Sequence, residues 1–144
     1  MTKDEAPVVV EQTFDLPAEK VWKAITELDQ MHGWYFKEIP EFRAEVGFET
    51  VFDVSCGERV FPHAWKILEV VPNEKIVYTW RFAGYEGDGF VSFDLAEAEG
   101  KTTLTVTCTT TEDFQADIPE FNREACVGGW NYFIKENLAK FLAG

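Results

Sequence analysis

The sequence predicts an α+β fold in which an antiparallel sheet packs against one long C-terminal helix. Three observations carry this. Segments of period-two alternation follow one another from Val8 to Thr111, separated by short turn signals. In the clearest of them Leu104, Val106 and Cys108 face one way and Thr103, Thr105, Thr107, Thr109 and Thr111 the other, so the sheet has a buried face and a wet one. Finally, Phe121, Ala125, Trp130, Phe133, Ile134, Leu138 and Phe141 recur at helical spacing, an apolar stripe able to cover the buried face.

Val8 to Phe14 reads as a strand with Val8, Val10 and Phe14 on one side. Pro17 suits the first turn of a helix, where its missing N–H costs nothing. Val21, Ile25 and Leu28 continue that helix to about Leu28, and a second short helix or turn carries Met31, Trp34 and Phe36. Strands are then expected over Glu41–Val46, which alternates weakly, and over Phe48–Val54. Cys56-Gly57-Glu58 turns the chain into a strand over Phe61–Val71, which Pro62 interrupts near its start. Pro72-Asn73-Glu74 is a turn. Lys75–Phe82 follows, with Ile76, Tyr78, Trp80 and Phe82 on one face and Arg81 on the other. The glycine-rich loop Gly84–Gly89 leads to a strand over Phe90–Leu95, and Glu99-Gly100 turns into the threonine-rich strand Lys101–Thr111.

The C-terminal helix is expected to start near Asp117 and Glu120, three residues apart as in a capping box, and to run to Leu142. About 25 residues at 1.5 Å each would span nearly 40 Å. Gly128 and Gly129 interrupt the stripe. Each weakens the helix by roughly 1 kcal/mol relative to alanine. The expectation is that they let helix and sheet approach closely, with a bend as the other reading.

A chain of 144 residues reads as one domain over 1–144, long enough to bury its own core. Aromatics make up 15% of it, enough to fill a core, line a cavity, or both. Its net charge of −13 repels phosphate backbones and anionic membrane surfaces, so no nucleic-acid or membrane partner is expected. Cys56, Cys108 and Cys126 are odd in number and widely spaced, without a CxxC pair. That argues against a disulfide framework and for a reduced, cytoplasmic setting. His32, His63 and the cysteines lack metal-ligand spacing, so neither a metal nor another cofactor is expected. No nucleophile elbow or phosphate loop occurs, and no catalytic residue is assigned.

Several segments in order carry a family resemblance. They are Pro17-Ala18-Glu19-Lys20-Val21-Trp22 after the first strand, then Gly33-Trp34, then the turn and strands of Val70–Trp80, then Thr102–Thr107, then Gly129-Trp130. Together, from Val8 to Leu142, they resemble homologues of the activator of heat-shock-protein-90 ATPase, within the START-like helix-grip (SRPBCC) superfamily. One departure is Glu45-Val46-Gly47-Phe48, which keeps a single glycine where the family usually has two. The resemblance implies a curved antiparallel sheet wrapped around the C-terminal helix, with short helices after the first strand. It also implies a hydrophobic cavity between sheet and helix.

The residues expected on the facing surfaces are Trp34, Phe36, Phe52, Val54, His63, Trp65, Tyr78, Trp80, Trp130, Phe133 and Ile134. They line a ligand-binding cavity or form a solid core. The leading function is non-enzymatic binding of a small apolar or aromatic molecule. A cyclase- or hydratase-like enzyme is the rival, with His63, Tyr78 and Asp53 as its acid–base groups and Glu58 near them; Arg81 is a weak partner for a ligand carboxylate. The favoured reading of His63 is a satisfied or exposed histidine beside Pro62. A third reading is a protein-interaction module contacting a chaperone or a second copy of the chain, through an exposed patch at Trp34, Tyr35 and Phe36.

Overall fold

Alternating apolar residues build the sheet because each strand turns every second side chain toward one face. In the computed structural model, which describes residues 1–143, seven strands form one curved antiparallel sheet. They are β1 (Val8–Phe14), β2 (Glu49–Cys56), β3 (Arg59–Val71), β4 (Lys75–Thr79), β5 (Arg81–Phe82), β6 (Asp88–Ala98) and β7 (Lys101–Glu112). The order is β1-β7-β6-β4-β3-β2, with β5 added beside β3. Register keeps the apolar positions together: Val8 pairs with Cys108, Cys108 with Val91, Val91 with Tyr78, and Tyr78 with Ile67. This row of buried side chains crosses five strands.

Two irregularities shape the curve. A register shift between Ile67 and Glu69 bends β3. The expected Lys75–Phe82 strand breaks at Trp80, whose N–H donates to the Gly89 carbonyl (2.8 Å), and β5 then pairs with His63 and Ala64. Pro62 does not interrupt β3. Its lack of an N–H is tolerated, and its carbonyl accepts from Ala83 (2.9 Å).

Helix α1 (Ala18–Thr26) starts after Pro17, and α2 (Leu28–Trp34) follows directly. The strand expected over Glu41–Val46 is a loop. Backbone pairing to β3 begins only where Gly47 donates to Ile67 and Ile67 donates back to Phe48, both 2.9 Å. Phe42 anchors the loop by its ring, packed on Phe48, Trp65 and Tyr78.

The C-terminal helix begins later than the sequence suggests. Pro119–Phe121 makes a 3-10 turn, Asn122 is extended, and its Oδ1 accepts the Ala125 N–H (2.7 Å) as the true cap. Helix α3 (Arg123–Trp130) runs on through a π-helical segment, Asn131–Leu138, into α4 (Ala139–Ala143). The buried stripe is Trp130, Ile134 and Leu138. Gly144, at the end of the expected domain span, lies outside the described residues.

Two expectations about close contacts are corrected. A methyl group built on Gly128 or Gly129 meets no atom within 4 Å, so the pair does not press helix against sheet. Close approach occurs instead at Gly33, where an added Cβ would strike the Phe141 ring of the C-terminal helix. Nor do Trp34, Tyr35 and Phe36 form an exposed patch. Trp34 and Tyr35 are buried and Phe36 is half-buried, because α2 is clamped under the C-terminal helix and the indole N–H of Trp34 donates to the Ala24 carbonyl (2.7 Å). Among the described residues no helix is long and apolar enough to cross a membrane.

Candidate functional site

Buried residues fall into two groups, and the space between them is the candidate site. The larger group fills the sheet's concave face around Ile76, Tyr78, Val91, Phe93 and Leu104. The smaller is Phe61, Phe114 and Phe121, with Phe82 packed on it. Between them lies an apolar recess of about 230 Å³. Strand β3 contributes Phe61 and His63, which alternation turns to the same side. Val54 comes from β2, Trp80 from the β4–β5 break and Phe82 from β5. The helix closes the other side with Ala125, Cys126, Gly129, Trp130 and Phe133, and β7 adds Cys108. Exposed Cys56 and half-buried Glu120 stand at the rim. Gly129 explains part of the opening, since the space a side chain would occupy there is empty.

Six of the eleven residues expected at the site line this recess: Phe36, Val54, His63, Trp80, Trp130 and Phe133. The other five are packed into core. Trp65 lies against Phe52 (4.8 Å between ring centres) and Tyr78 (4.6 Å), and Ile134 and Trp34 are buried elsewhere in the main cluster. The strand break after Thr79 turns Trp80 out of the row that holds Tyr78, while along β2 and β3 Val54 and His63 line the recess and Phe52 and Trp65, two residues away, pack into the core. Phe61, Phe82, Phe114, Phe121, Cys108, Cys126 and Gly129 were not foreseen. Parity with His63 and Trp80 points to Phe61 and Phe82. Phe114 lies in an irregular segment without periodicity, and Phe121, expected at the head of the helical stripe, sits in the 3-10 turn before the helix.

His63 is the buried base of the recess. Burial lowers its pKa from 6.5 to about 4, against a smaller opposing effect of its hydrogen bond to the Phe61 carbonyl. In the neutral ring Nδ1–H donates to that carbonyl (2.9 Å), which leaves Nε2 as an acceptor. The ring stacks on Phe52 and meets Phe82 edge-on. Asp53 and Glu58 are exposed on the outer surface and do not join it, since Asp53 has opposite parity to Phe52 and Val54. Tyr78 is also separate. Its hydroxyl hydrogen-bonds Tyr35 (3.0 Å) deep in the core, and burial pushes the pKa of both phenols up. Arg81 is exposed on the far side, as its parity with Trp80 requires. The loop expected over Gly84–Gly89 ends at Gly87, and Gly89, in β6, lines the recess.

Such a site can surround an apolar or aromatic molecule with rings and offer one neutral hydrogen-bond acceptor. It is smaller than most ligand pockets, which run from about 300 Å³.

The fold has known counterparts. A family model described as Activator of Hsp90 ATPase homolog 1-like protein matches residues 15–143. DynU16, a protein in the dynemicin biosynthetic locus, superposes with a TM-score of 0.77 at 22% identity; the match covers 96% of this chain and 48% of that one, so this chain spans about half its length. MLL2253 from Mesorhizobium loti gives 0.75 at 26% identity, over 95% of this chain and 96% of that one. The Aha1 dimer from Colwellia psychrerythraea gives 0.66 at 19% identity, with 94% of each chain covered. No curated protein matches the sequence.

Proposed function

Because the chain belongs to the Activator of Hsp90 ATPase homolog 1-like family, we propose that it binds a compact apolar or aromatic molecule, without converting it, in the recess between sheet and C-terminal helix. The observation that carries this reading is the empty space beside Gly129, bounded by Trp80, Trp130, Phe133 and His63. A solid core would leave no such space at interior packing density. Apolar walls with one fixed polar group are what a small-molecule site requires. Nε2 of His63 gives a ligand hydroxyl or N–H its single oriented partner.

The test is native mass spectrometry of protein isolated from its own cell, followed by titration with a neutral apolar dye such as Nile red. Bound ligand or saturable dye binding, lost in Gly129→Trp, is expected. A protein that is always empty and binds dye equally well with Gly129→Trp would overturn the reading.

Of the acid–base groups expected for a cyclase- or hydratase-like enzyme only His63 lines the recess, since Tyr78 and Asp53 lie outside it. That reading requires that His63→Ala abolish turnover of an identified substrate while leaving its binding in place. A chaperone or second-copy contact has lost its proposed aromatic patch to the core. Size-exclusion chromatography with light scattering, alone and with a chaperone, tests it.

A further inference from the structure

The cysteines widely separated in sequence include one pair that the fold brings together. Cys108 near the end of β7 and Cys126 in α3 both line the recess, and both are free thiols. Each thiol perturbs the ionisation of the other and Trp130 acts on both, as befits three side chains grouped on one wall of the recess. Cys126 and Trp130 are four residues apart, one helical turn, which puts both on the face of α3 that borders the recess.

We propose that Cys108 and Cys126 form a reversible redox dithiol, which a hydroperoxide closes into a disulfide joining sheet to helix at the wall of the recess. The two sulfurs have different roles. Cys126 is half-exposed, whereas Cys108 is buried. The neighbouring Cys108 thiol pulls the Cys126 thiol down; Trp130 and the Arg123 guanidinium act in the same direction, against burial. The neighbouring Cys126 and burial push the Cys108 thiol up. Cys126, the sulfur that a solvent-borne oxidant can reach, is therefore the attacking thiolate and buried Cys108 the resolving thiol.

The Cys126 thiolate attacks the O–O bond of the hydroperoxide. An S–O bond forms, the O–O bond breaks, and the alkoxide or hydroxide released takes a proton from solvent. The Cys108 sulfur then displaces the hydroxyl from the sulfenic acid. The S–S bond forms, the S–O bond breaks, and the Cys108 proton leaves with the hydroxyl as water. The thiols lose two electrons in all and the hydroperoxide gains them. A second thiol poised next to a low-pKa one distinguishes such a sensor from a structural cysteine. Closing the bond ties α3 to β7 where Gly129 and Trp130 bound the recess, so the oxidised protein has a fixed opening. The redox step stands whether or not the recess holds a ligand.

The experiment uses the full chain with Cys56→Ser, which removes the exposed third thiol and its intermolecular pairing. Stoichiometric hydrogen peroxide should consume both remaining thiols together. Peptide mapping should show residues 108 and 126 linked, and dithiothreitol should restore both. Adding Cys108→Ser should leave a Cys126 sulfenic acid that dimedone traps. Adding Cys126→Ser should slow oxidation of Cys108 by at least about tenfold, as loss of the thiolate requires. Circular dichroism checks that each variant is folded, and the parent Cys56→Ser protein gives the deciding result alone. Oxygen addition at Cys126 with Cys108 still reduced in that protein, or no linkage at all, overturns the proposal.

Discussion

Gly129→Ala should stabilise the protein. The magnitude follows from two facts about the site. Alanine is preferred to glycine inside a helix by about 0.8–1.0 kcal/mol, and Gly129 lies within α3 with ordinary helical neighbours. A Cβ there meets no atom within 4 Å, so no steric penalty offsets the gain. The same holds for Gly128. Each single change should therefore add about 1 kcal/mol, or about 3–4 °C in thermal midpoint for a chain of this length. Gly129→Leu should add more, because its side chain buries apolar surface in the recess at about 25 cal/mol per Å². It should also reduce Nile red binding in proportion. The assay is urea unfolding followed by far-UV circular dichroism, beside thermal melts on the same samples. Had the glycines allowed helix and sheet to touch, the methyl group would instead overpack the seam and cost about 1–3 kcal/mol. The sign of the change thus decides between a gap and a contact. A loss of stability in Gly129→Ala would refute both the gap and the site built around it.

Below pH 6.5 the unfolded chain protonates His63 while the folded ring, with a pKa of about 4, refuses the proton. Stability from this residue is therefore whole above pH 6.5 and falls by about 3 kcal/mol as pH drops toward 4; His63→Phe should flatten that part of the profile in unfolding measured from pH 7 to 4. Tyr78→Phe should cost about 1 kcal/mol by breaking the bond to Tyr35, and the double change to phenylalanine at both positions should cost less than the sum of the singles, measured as a double-mutant cycle. Trp65 has a buried indole N–H with no partner among the described residues, while that of Trp34 is paired with Ala24. Chemical denaturation should thus show Trp34→Phe costing about 1–3 kcal/mol more than Trp65→Phe, since only the former sacrifices a hydrogen bond and strands a carbonyl.

The strands were legible because alternation reports directly which face of a pleated chain meets water. β1, β6 and β7 follow their patterns, and the inward residues of β7 meet inward residues of β1 and β6 in register. Glu41–Val46 was misread because a few weakly alternating residues do not reveal whether a partner strand lies beside them. The helix start was misread because Asp117 and Asn122 are both good caps, and only the extended backbone at Asn122 selects between them. At the site, Trp80 and Trp130 were identifiable from parity and stripe. The strand break at Trp80 was not, and it turns Trp80 out of the row that holds Tyr78.

Local chemistry therefore specified the elements, their inner faces and the family they compose, since periodicity and turn residues act over a few neighbours. Three-dimensional packing specified the rest. It placed Gly129 opposite empty space and Gly33 against Phe141, two glycines with opposite uses that look alike in the chain. It also set Cys108 beside Cys126, because the distance between a strand and the helix that crosses it depends on every side chain between them.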